Sequence, residues 1–406
     1  MYDCLNARGR TPGKEDIEQC KEQLPRAIAE DFIHYVRELY RTDRPIPLHA
    51  PQFQGREKEY LLDALDSTFV SSVGQYVDRF EADCAHYTGA KYAVATVNGT
   101  SALHVALLLA GVKRDEEVIT QALTFVATCN AIHYCGADPV FVDVDRATLG
   151  LSAQALANYL DRFAEERNGE TWNKQTGKRI AACLPMHTFG HPADMPGIAD
   201  VCEKYRIPVV EDAAEALGST LYDRHCGTFG RLGVLSFNGN KIMTTGGGGM
   251  ILTDDEKLAK QAKHLTTTAK QPHAWQFIHD QVGFNYRMPN LNAALGVAQL
   301  ECLRSFLDKK RELAERYIDW CGRNRLQCIV EPDAARSNYW LNAVVLEDVA
   351  ERDAFLKATN EQGVMTRPVW EPMHRLPMYR YCQRDSLVNT EWAAARVVNI
   401  PSSVTG

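Results

Sequence analysis

Lys241 is the residue of this chain best suited to covalent chemistry. It follows a short apolar run, residues 233–237, and the turn residues 238–240, and a glycine series begins soon after it. The apolar run predicts a buried strand, so Lys241 stands just past a strand end. Ligands of open α/β sheets gather at the carboxyl ends of strands. Most lysines are nevertheless solvated surface charges, so Lys241 alone does not indicate a site.

Asp212 supplies a second reactive group, because it ends another apolar run, residues 207–211. A lysine and a carboxylate at neighbouring strand ends fit pyridoxal phosphate. This cofactor needs a lysine for its Schiff base and an anion beside its pyridine nitrogen. With the ring nitrogen held protonated, the ring can accept the electron pair that is released when an amino-acid Cα–H bond breaks.

A phosphate-binding turn is predicted upstream, where a strand at residues 92–97 leads through Asn98 and Gly99 into an apolar helix. The first-turn amides of a helix are unpaired and the helix dipole is positive there, so helix N-termini bind phosphate. Gly99 permits close approach, and the hydroxyls of Thr100 and Ser101 add donors. Alone, this pattern is only a well-capped helix, which is the commoner interpretation.

These residues resemble the DegT/DnrJ/EryC1/StrS family of sugar-nucleotide aminotransferases, which are fold-type I pyridoxal phosphate enzymes. The resemblance runs from about residue 47 to residue 403. It rests on ordered motifs: FVSSVGQYVDRFE (69–81), NGTSAL (98–103), TFVATCNAI (124–132), PMHTFGHPADM (185–195), VVEDAAEALGS (209–219), SFNGNKIMTTGGGGM (236–250), GFNYRMPNLNAALG (283–296) and RPVW (367–370). The residues of these motifs are most similar to those of the branch that aminates UDP-linked 4-keto-6-deoxy-N-acetylhexosamines for lipopolysaccharide, O-antigen or other glycan biosynthesis.

The resemblance implies a role for each matching residue. Lys241 would hold the cofactor and carry the proton between the Cα of the donor, L-glutamate, and the C4′ carbon of the cofactor. Asn285 would cross from a neighbouring subunit to the phosphate, which implies a homodimer with shared sites. Glu215 stands where many members have glutamine or histidine near the ring hydroxyl. The full set of implied cofactor-binding residues is Thr100, Ser101, Phe125 (stacking on the ring), Asp212, Glu215, Ser236 (on the phosphate), Lys241 and Asn285.

The elements that must position these residues alternate along the chain. Strands are predicted near residues 92–97, 117–121, 138–143, 180–185, 207–211, 233–237 and 249–253, with helices between them. This alternation predicts a fold of the α/β class, a mostly parallel sheet with helices on both faces. We expect an N-terminal arm and helix (1–44), a large cofactor-binding domain (45–304) and a smaller α/β C-terminal domain (305–406). Residues 1–24 are expected to form a loose arm with at most a short helix, and a clearer helix begins at Pro25.

Composition limits the function classes. The chain has 406 residues with a formal net charge of −7 and no basic tract, which disfavours nucleic acid as a partner. No apolar stretch is long enough to span a membrane, and the polar N-terminus lacks the apolar core of a signal peptide. The twelve cysteines are scattered without a CxxC pair. A metal-free cytoplasmic enzyme with reduced thiols is therefore expected.

Three alternatives stay open at this point. A sugar dehydratase of the same family would carry histidine in place of Lys241. A catalytically inactive, ligand-binding regulator would not need Lys241, Asp212 and Ser236 together. A nicotinamide-dependent oxidoreductase would need the GxGxxG spacing, which GTFGRLG at residues 227–233 lacks.

Overall fold

The computed structural model describes the backbone of residues 14–404 and the side chains of residues 27–404. The α-helices are α1 Lys14–Tyr40, α2 Glu57–Asp66, α3 Gln75–Thr88, α4 Gly99–Leu109, α5 Val126–Tyr134, α6 Ala153–Phe163, α7 Met195–Lys204, α8 Glu256–Thr266, α9 Asn290–Arg323, α10 Val349–Glu361 and α11 Val388–Arg396. The first strands are β1 Tyr92–Thr96, β2 Glu117–Gln121, β3 Asp138–Val142, β4 Ala164–Arg167, β5 Glu170–Asn173, β6 Ile180–Leu184, β7 Val210–Asp212, β8 Thr220–Leu221 and β9 Arg224–His225. The later strands are β10 Leu232–Ser236, β11 Gly249–Thr253, β12 Gln327–Cys328, β13 Ala335–Arg336, β14 Asn342–Val345, β15 Arg367–Pro368 and β16 Val397–Ile400.

A central sheet positions the site. Its strands lie in the order β1-β11-β10-β7 and β6-β2-β3, and parallel bridges from Cys183 to Val209 and from Met186 to Asp212 join the two parts. Only β11 runs antiparallel to its neighbours; β10 and β7, and likewise β2 with β3 and β6, pair in parallel. The predicted mostly parallel sheet is therefore confirmed. The carboxyl ends of its parallel strands meet at one edge, which is where ligands of such sheets bind.

Helices cover this sheet on both faces, and β2, β6, β10 and β11 are accordingly buried at every position. One core cluster joins α3 and the first half of α9 to β10, through residues such as Phe80, Phe237 and Val297. A second core joins α4 and α8 to β1 and β2. A third packs α6 and α7 against β3 and β6. These cores fix the strand ends that carry the reactive residues.

A smaller antiparallel sheet, β12-β14-β16-β15, lies in the C-terminal part of the chain. Its core includes Val344 and Val398, and it also takes Phe32 from α1 and Trp320 from the end of α9. The N-terminal helix therefore packs with the C-terminal lobe. Helix α9 runs without interruption past residue 305. The boundary between the two predicted domains at that residue therefore stays a prediction.

Three details differ from the sequence prediction. Residues 14–24 belong to α1, so they are not a loose arm; their many Lys, Glu and Gln residues favour helix. Residues 1–13 lie outside the described part. Residues 164–173 form a hairpin, β4 with β5, which was not predicted.

The third difference concerns the thiols, because Cys321 and Cys328 form a disulfide between the end of α9 and β12. No spacing signature had marked these two cysteines. In residues 14–404, no helix combines the length and apolar character that a bilayer span requires. Among the described side chains, those of residues 27–404, no cluster of three or more His, Cys, Asp and Glu could hold a metal ion.

Candidate active site

Lys241 lies in the turn that follows β10, close to the carboxyl end of that strand. Its backbone amide donates to Asn238, which closes the turn. Its Nζ is 3.1 Å from Oε1 of Glu215 and 4.0 Å from the ring centroid of Trp340. The lysine side chain is 11% exposed, so its ammonium group meets a carboxylate and an aromatic face in a largely buried place. Trp340 is held in turn by its indole N–H, which donates to the carbonyl of Asn240 at 2.7 Å.

Asp212 is the last residue of β7, which pairs with β10 in parallel. Thr128 donates its hydroxyl to Oδ2 at 2.8 Å, and the amide of Ala214 donates to Oδ1 at 3.2 Å. Burial raises the pKa of Asp212 above its usual range, although these two donors and the nearby Lys241 oppose the shift. Among the described residues, no cationic side chain lies within ion-pair distance of this carboxylate. A buried carboxylate without a paired cation suits a protonated ring nitrogen.

Glu215 stands on the turn after β7 and is 3% exposed. Its Oε2 accepts the amide of Phe189 at 2.9 Å, and its Oε1 accepts Lys241. Burial raises the pKa of Glu215 to about 7, against the lowering effect of the Lys241 cation. The two oxygens of this carboxylate are therefore both used, one by backbone and one by the lysine.

The N-terminus of α4 forms the polar end of the site. Asn98 caps the helix by accepting the amide of Ser101 at 2.8 Å. The amides of Gly99 and Thr100 have no carbonyl one turn earlier to bond with, so they are free for an anion. A Cβ on Gly99 would lie 3.0 Å from Cβ of Ser236, so the helix start and the end of β10 approach closely.

Strand β11 makes this close approach possible. Its first residue, Gly249, lies between Thr96 of β1 and Ser236 of β10 in the sheet. A Cβ on Gly249 would come within 2.6 Å of the backbone carbonyl of Asn98. The end of the GGGG run therefore needs a glycine, because any side chain there would push the turn of the α4 N-terminus away.

These groups surround one cavity of about 300 Å³. Phe125, which is 47% exposed, stands at the start of α5 with its ring 6.3 Å from that of Trp370. An exposed aromatic beside a polar cavity has a face available for a planar ligand. The predicted site residues that line the cavity are Thr100, Phe125, Asp212, Glu215, Ser236 and Lys241.

Two residues of the predicted set lie elsewhere. Ser101 is buried in the first turn of α4 and is not part of the cavity lining. Asn285 is exposed, and its backbone forms an antiparallel bridge with Thr267 outside the cavity. The neighbouring Arg287 reaches within 4.0 Å of Asp78, a long ion-pair distance. Within its own chain, Asn285 therefore does not contact the groups around Lys241.

Several lining residues were not predicted from the sequence. Trp340 and Trp370 come from the C-terminal lobe, far along the chain from Lys241. Trp370 belongs to the RPVW motif, but no spacing rule connects either tryptophan to the lysine. Thr128 follows Phe125 by one helical turn, so its place beside Asp212 follows from the helix period once Phe125 is in the site.

His187 does not line the cavity, but it packs behind the residues that do. Its Nδ1 accepts the amide of Ala193 at 3.1 Å, so the proton is on Nε2, which lies 3.0 Å from Glu211. Both side chains are fully buried.

Comparison with known proteins identifies the family. The DegT/DnrJ/EryC1/StrS aminotransferase family matches residues 51–405. The chain belongs to that family. It is 36% identical over 359 residues to the GDP-perosamine synthase of Escherichia coli O157:H7, a match that covers 88% of this chain and 93% of the relative.

Solved structures agree with this assignment to the DegT/DnrJ/EryC1/StrS family. The aminotransferase TlmJ of Streptoalloteichus hindustanus superimposes with a TM-score of 0.80 at 31% identity, over 88% of this chain and 93% of that one. DesI, solved in the presence of its TDP-sugar product, has a TM-score of 0.77 at 27% identity, over 89% of this chain and 88% of that one. The predicted family, the fold-type I architecture and the dependence on pyridoxal phosphate are confirmed. The protein is a pyridoxal phosphate-dependent aminotransferase.

Proposed function

We propose that this aminotransferase moves an amino group from L-glutamate to the 4-keto group of a nucleotide-linked 4-keto-6-deoxy sugar. The observation that carries the proposal is one cavity in which Lys241 and Asp212 stand at the ends of neighbouring parallel strands. The GDP-perosamine synthase relative and the TDP-sugar product of DesI support a nucleotide sugar as the acceptor.

The cavity fits pyridoxal phosphate. Lys241 would hold it covalently, and Asp212 would face the ring nitrogen, since this buried carboxylate has no paired cation among the described residues. Phe125 would cover one face of the ring, and Thr100 and Ser236 would contact the phosphate at the N-terminus of α4, with Ser101 buried behind them in the first turn. When bound there, the cofactor supplies the electron sink for breaking the Cα–H bond. The division into a cofactor domain (45–304) and a smaller lobe (305–406) belongs to the same proposal.

The protein groups then have distinct tasks. Lys241 would act through its neutral Nζ as the base that takes the proton from Cα of the donor and delivers it to the C4′ carbon of the cofactor. Asp212 keeps the ring nitrogen protonated through a short-range charge interaction in a site with little water. Trp340 and Trp370 close the cavity from the C-terminal lobe, which limits the access of water to the reacting atoms.

The nucleotide has two candidates. The residues of the sequence motifs predict a UDP-linked N-acetylhexosamine, as in lipopolysaccharide or other glycan biosynthesis. The relatedness to GDP-perosamine synthase favours a GDP-linked sugar as the second candidate. Both share the 4-keto-6-deoxy ring that the aminotransfer step needs, so they differ only in the part of the substrate outside the reacting centre.

A substrate panel tests the proposal. Purified protein loaded with pyridoxal phosphate is incubated with L-glutamate and one nucleotide sugar at a time. The sugars are UDP-, GDP- and dTDP-linked 4-keto-6-deoxy sugars, with and without the N-acetyl group. We expect one of them to give an amino sugar and 2-oxoglutarate in equal amounts, measured by mass spectrometry. The Lys241→Ala variant is the control and should give neither product. Loss of a sugar hydroxyl without net amination would instead support the dehydratase, and no reaction with any sugar would contradict the proposal.

We also propose a homodimer in which Asn285 of each chain completes the phosphate site of the other. Asn285 is exposed and distant from the cavity lining of its own chain. The same segment carries large exposed apolar side chains: Trp275 is 79% exposed, Phe277 80% and Val282 85%. Clusters of exposed apolar side chains often mark protein–protein interfaces.

A further inference from the structure

Lys241 and Glu215 form a close contact that is buried in the cavity wall. The ammonium and the carboxylate are 3.1 Å apart, and the glutamate side chain is 1% exposed. The second carboxylate oxygen is fixed by the amide of Phe189 at 2.9 Å. On its other side, the lysine nitrogen lies over the ring of Trp340. Glu215 therefore cannot turn away without losing a backbone bond, and Lys241 has a fixed negative partner.

We propose that Glu215 is a positioning residue for Lys241: its carboxylate fixes the lysine nitrogen in the cavity and keeps a proton on it in the resting protein, before an amino donor displaces the lysine. This inference rests on the proposed function in taking Lys241 as the cofactor-linking residue. A negative charge in contact with a nitrogen favours its protonated form, and little water is present to screen the interaction. A glutamine at residue 215 would keep the size and the oxygen acceptor but not the charge.

The other titratable groups near the pair do not take over this role. Asp212 is engaged by Thr128 and Ala214, and lies outside ion-pair distance of Lys241. Burial, with the cations of Lys310 and Lys241, holds the pKa of His49 well below its usual range, so this imidazole is neutral. Burial likewise lowers the pKa of Lys310, whose Nζ donates to the carbonyls of Trp340 and Ser402.

The charge on Glu215 defines a pH window for the effect. Because burial raises the pKa of this carboxyl to about 7, it is ionised above that pH and neutral below it. The attraction that Glu215 exerts on the lysine nitrogen is therefore strongest above pH 7. A protonated nitrogen makes the linked carbon more electrophilic, which favours attack by the amino group of the donor.

The first test is a spectroscopic titration of the holoenzyme. The visible absorption band of lysine-bound pyridoxal phosphate changes when the linking nitrogen loses its proton, so its midpoint can be read without substrate. In Glu215→Gln, we expect the midpoint to move down by about 1 to 3 pH units, the range for removal of a contacting opposite charge. Glu117→Gln is the matched control. Glu117 is a buried carboxylate whose pKa is also raised by burial, but it lies at the start of β2, away from the cavity.

A midpoint that is equal in wild type, Glu215→Gln and Glu117→Gln would overturn the proposal, provided that all three bind the cofactor and unfold at similar temperatures. A midpoint that moves upward in Glu215→Gln would also overturn it, because that result requires a protonated Glu215 that donates to the nitrogen. A downward shift that appears equally in Glu117→Gln would mean a general effect of the substitution, and would count against Glu215.

A second measurement covers the case in which Glu215→Gln does not bind the cofactor. Acetic anhydride reacts only with neutral amines, so the acetylation rate of Lys241 in the cofactor-free full chain reports its protonation. The exposed Lys257 in the same digest serves as the internal reference. Above pH 7 we expect Lys241 to react about 10-fold or more faster in Glu215→Gln, the equivalent of one pH unit. Below pH 7 the two proteins should converge, since Glu215 is then neutral; equal rates at all pH values would refute the proposal.

Neither measurement uses an amino donor or a sugar. If no sugar of the panel is aminated but the midpoint shifts as expected, the proposed function fails and the role of Glu215 stands. If a sugar is aminated and the midpoint does not shift, the reverse holds.

Discussion

Asp212 is the residue whose environment most directly limits the chemistry of the site. Its carboxylate is buried and receives one hydroxyl and one amide, yet no cation lies within ion-pair distance of it among the described residues. Burial of an ionised carboxylate without a partner is unfavourable, and the raised pKa of Asp212 expresses this cost. A protonated ring nitrogen would provide the missing partner. In the proposed function, the same residue would stabilise the bound cofactor and keep its ring electron-withdrawing.

Removal of this charge should slow catalysis without preventing folding. Asp212→Asn keeps the shape and can still accept from Thr128, but it no longer stabilises a positive ring nitrogen. We expect the rate constant of the amination to fall by about 10²- to 10³-fold, the effect of losing one preorganised electrostatic contact. The measurement is single-turnover kinetics with L-glutamate, followed through the cofactor absorption. Binding of the cofactor, checked by equilibrium dialysis, should persist.

Asp138→Asn is a suitable control, because this aspartate pairs with Lys178 at 2.6 Å at the opposite edge of the sheet. It should turn over like the wild type. If Asp212→Asn also reacted at the wild-type rate, Asp212 could not be the partner of the ring nitrogen.

At the scale of single residues, the sequence was informative where chemistry depends on a strand end. Lys241 and Asp212 could be brought to one place from strand prediction, because parallel strands end at the same edge, whereas Ser236 was assigned through the family resemblance. Trp340 and Trp370 could not, since they enter from the C-terminal lobe and their contact with Lys241 depends on how the two lobes pack. The exposed position of Asn285 was likewise not visible in its motif.

Among the elements, β11 is the one that sets the distance between the phosphate turn and the lysine strand. It lies antiparallel between β1 and β10, and it begins at Gly249, where the turn before α4 passes over the strand. The strands of the central sheet were predicted within a few residues, because their apolar runs are continuous and short. Their order was not predictable, since β11 is inserted between two parallel strands that are distant in sequence. The extension of α1 over residues 14–24 was not predicted, because a proline such as Pro25 usually lies at the start of a helix.

A side chain at Gly249 should damage the phosphate end of the site. In Gly249→Ala the new Cβ would lie 2.6 Å from the backbone of Asn98, a distance that forces the turn to move. We expect a loss of stability of about 1 to 3 kcal/mol, as for overpacking of a close contact. Displacement of the first-turn amides of α4 should also weaken binding of pyridoxal phosphate. Thermal unfolding of the cofactor-free protein and a fluorescence titration with the cofactor measure the two effects separately.

Gly322→Ala provides the matched control, because a Cβ at this position in the last turns of α9 would have no heavy atom within 4 Å. Helix propensity predicts a gain of about 0.5 to 1 kcal/mol and no change in cofactor affinity. Wild-type affinity for the cofactor in Gly249→Ala would show that the turn tolerates displacement, and would mean that β11 does not set the geometry of the phosphate turn.

At the scale of the whole molecule, the cavity of one chain contains the lysine, the acid and the helix N-terminus but not Asn285. The asparagine stands on a segment, residues 267–289, that leaves α8 and returns to the start of α9 with several apolar side chains exposed. A two-fold axis beside this segment would bury those side chains and bring each Asn285 to the other chain. A symmetric dimer would then have two composite sites.

Subunit exchange between inactive variants can establish whether the sites are shared. Lys241→Ala and Asn285→Ala chains are mixed, partly unfolded and refolded together, and the heterodimer is isolated by two different affinity tags. If Asn285 acts across the dimer, one site of the heterodimer carries both changes and the other carries neither. Activity should therefore return to about half of the wild-type value by symmetry. Each parent variant must be clearly impaired for this result to be interpretable.

The reciprocal heterodimer sharpens the test. A chain with both substitutions, paired with a wild-type chain, places one change in each composite site, so this heterodimer should be as impaired as the parents. If Asn285 instead serves the site of its own chain, the outcomes exchange: the first heterodimer has no intact site, and the second keeps one. The two heterodimers contain the same residues and differ only in which chain carries them. Their difference in activity therefore depends on which subunit supplies Asn285, and a general loss of stability would lower both alike.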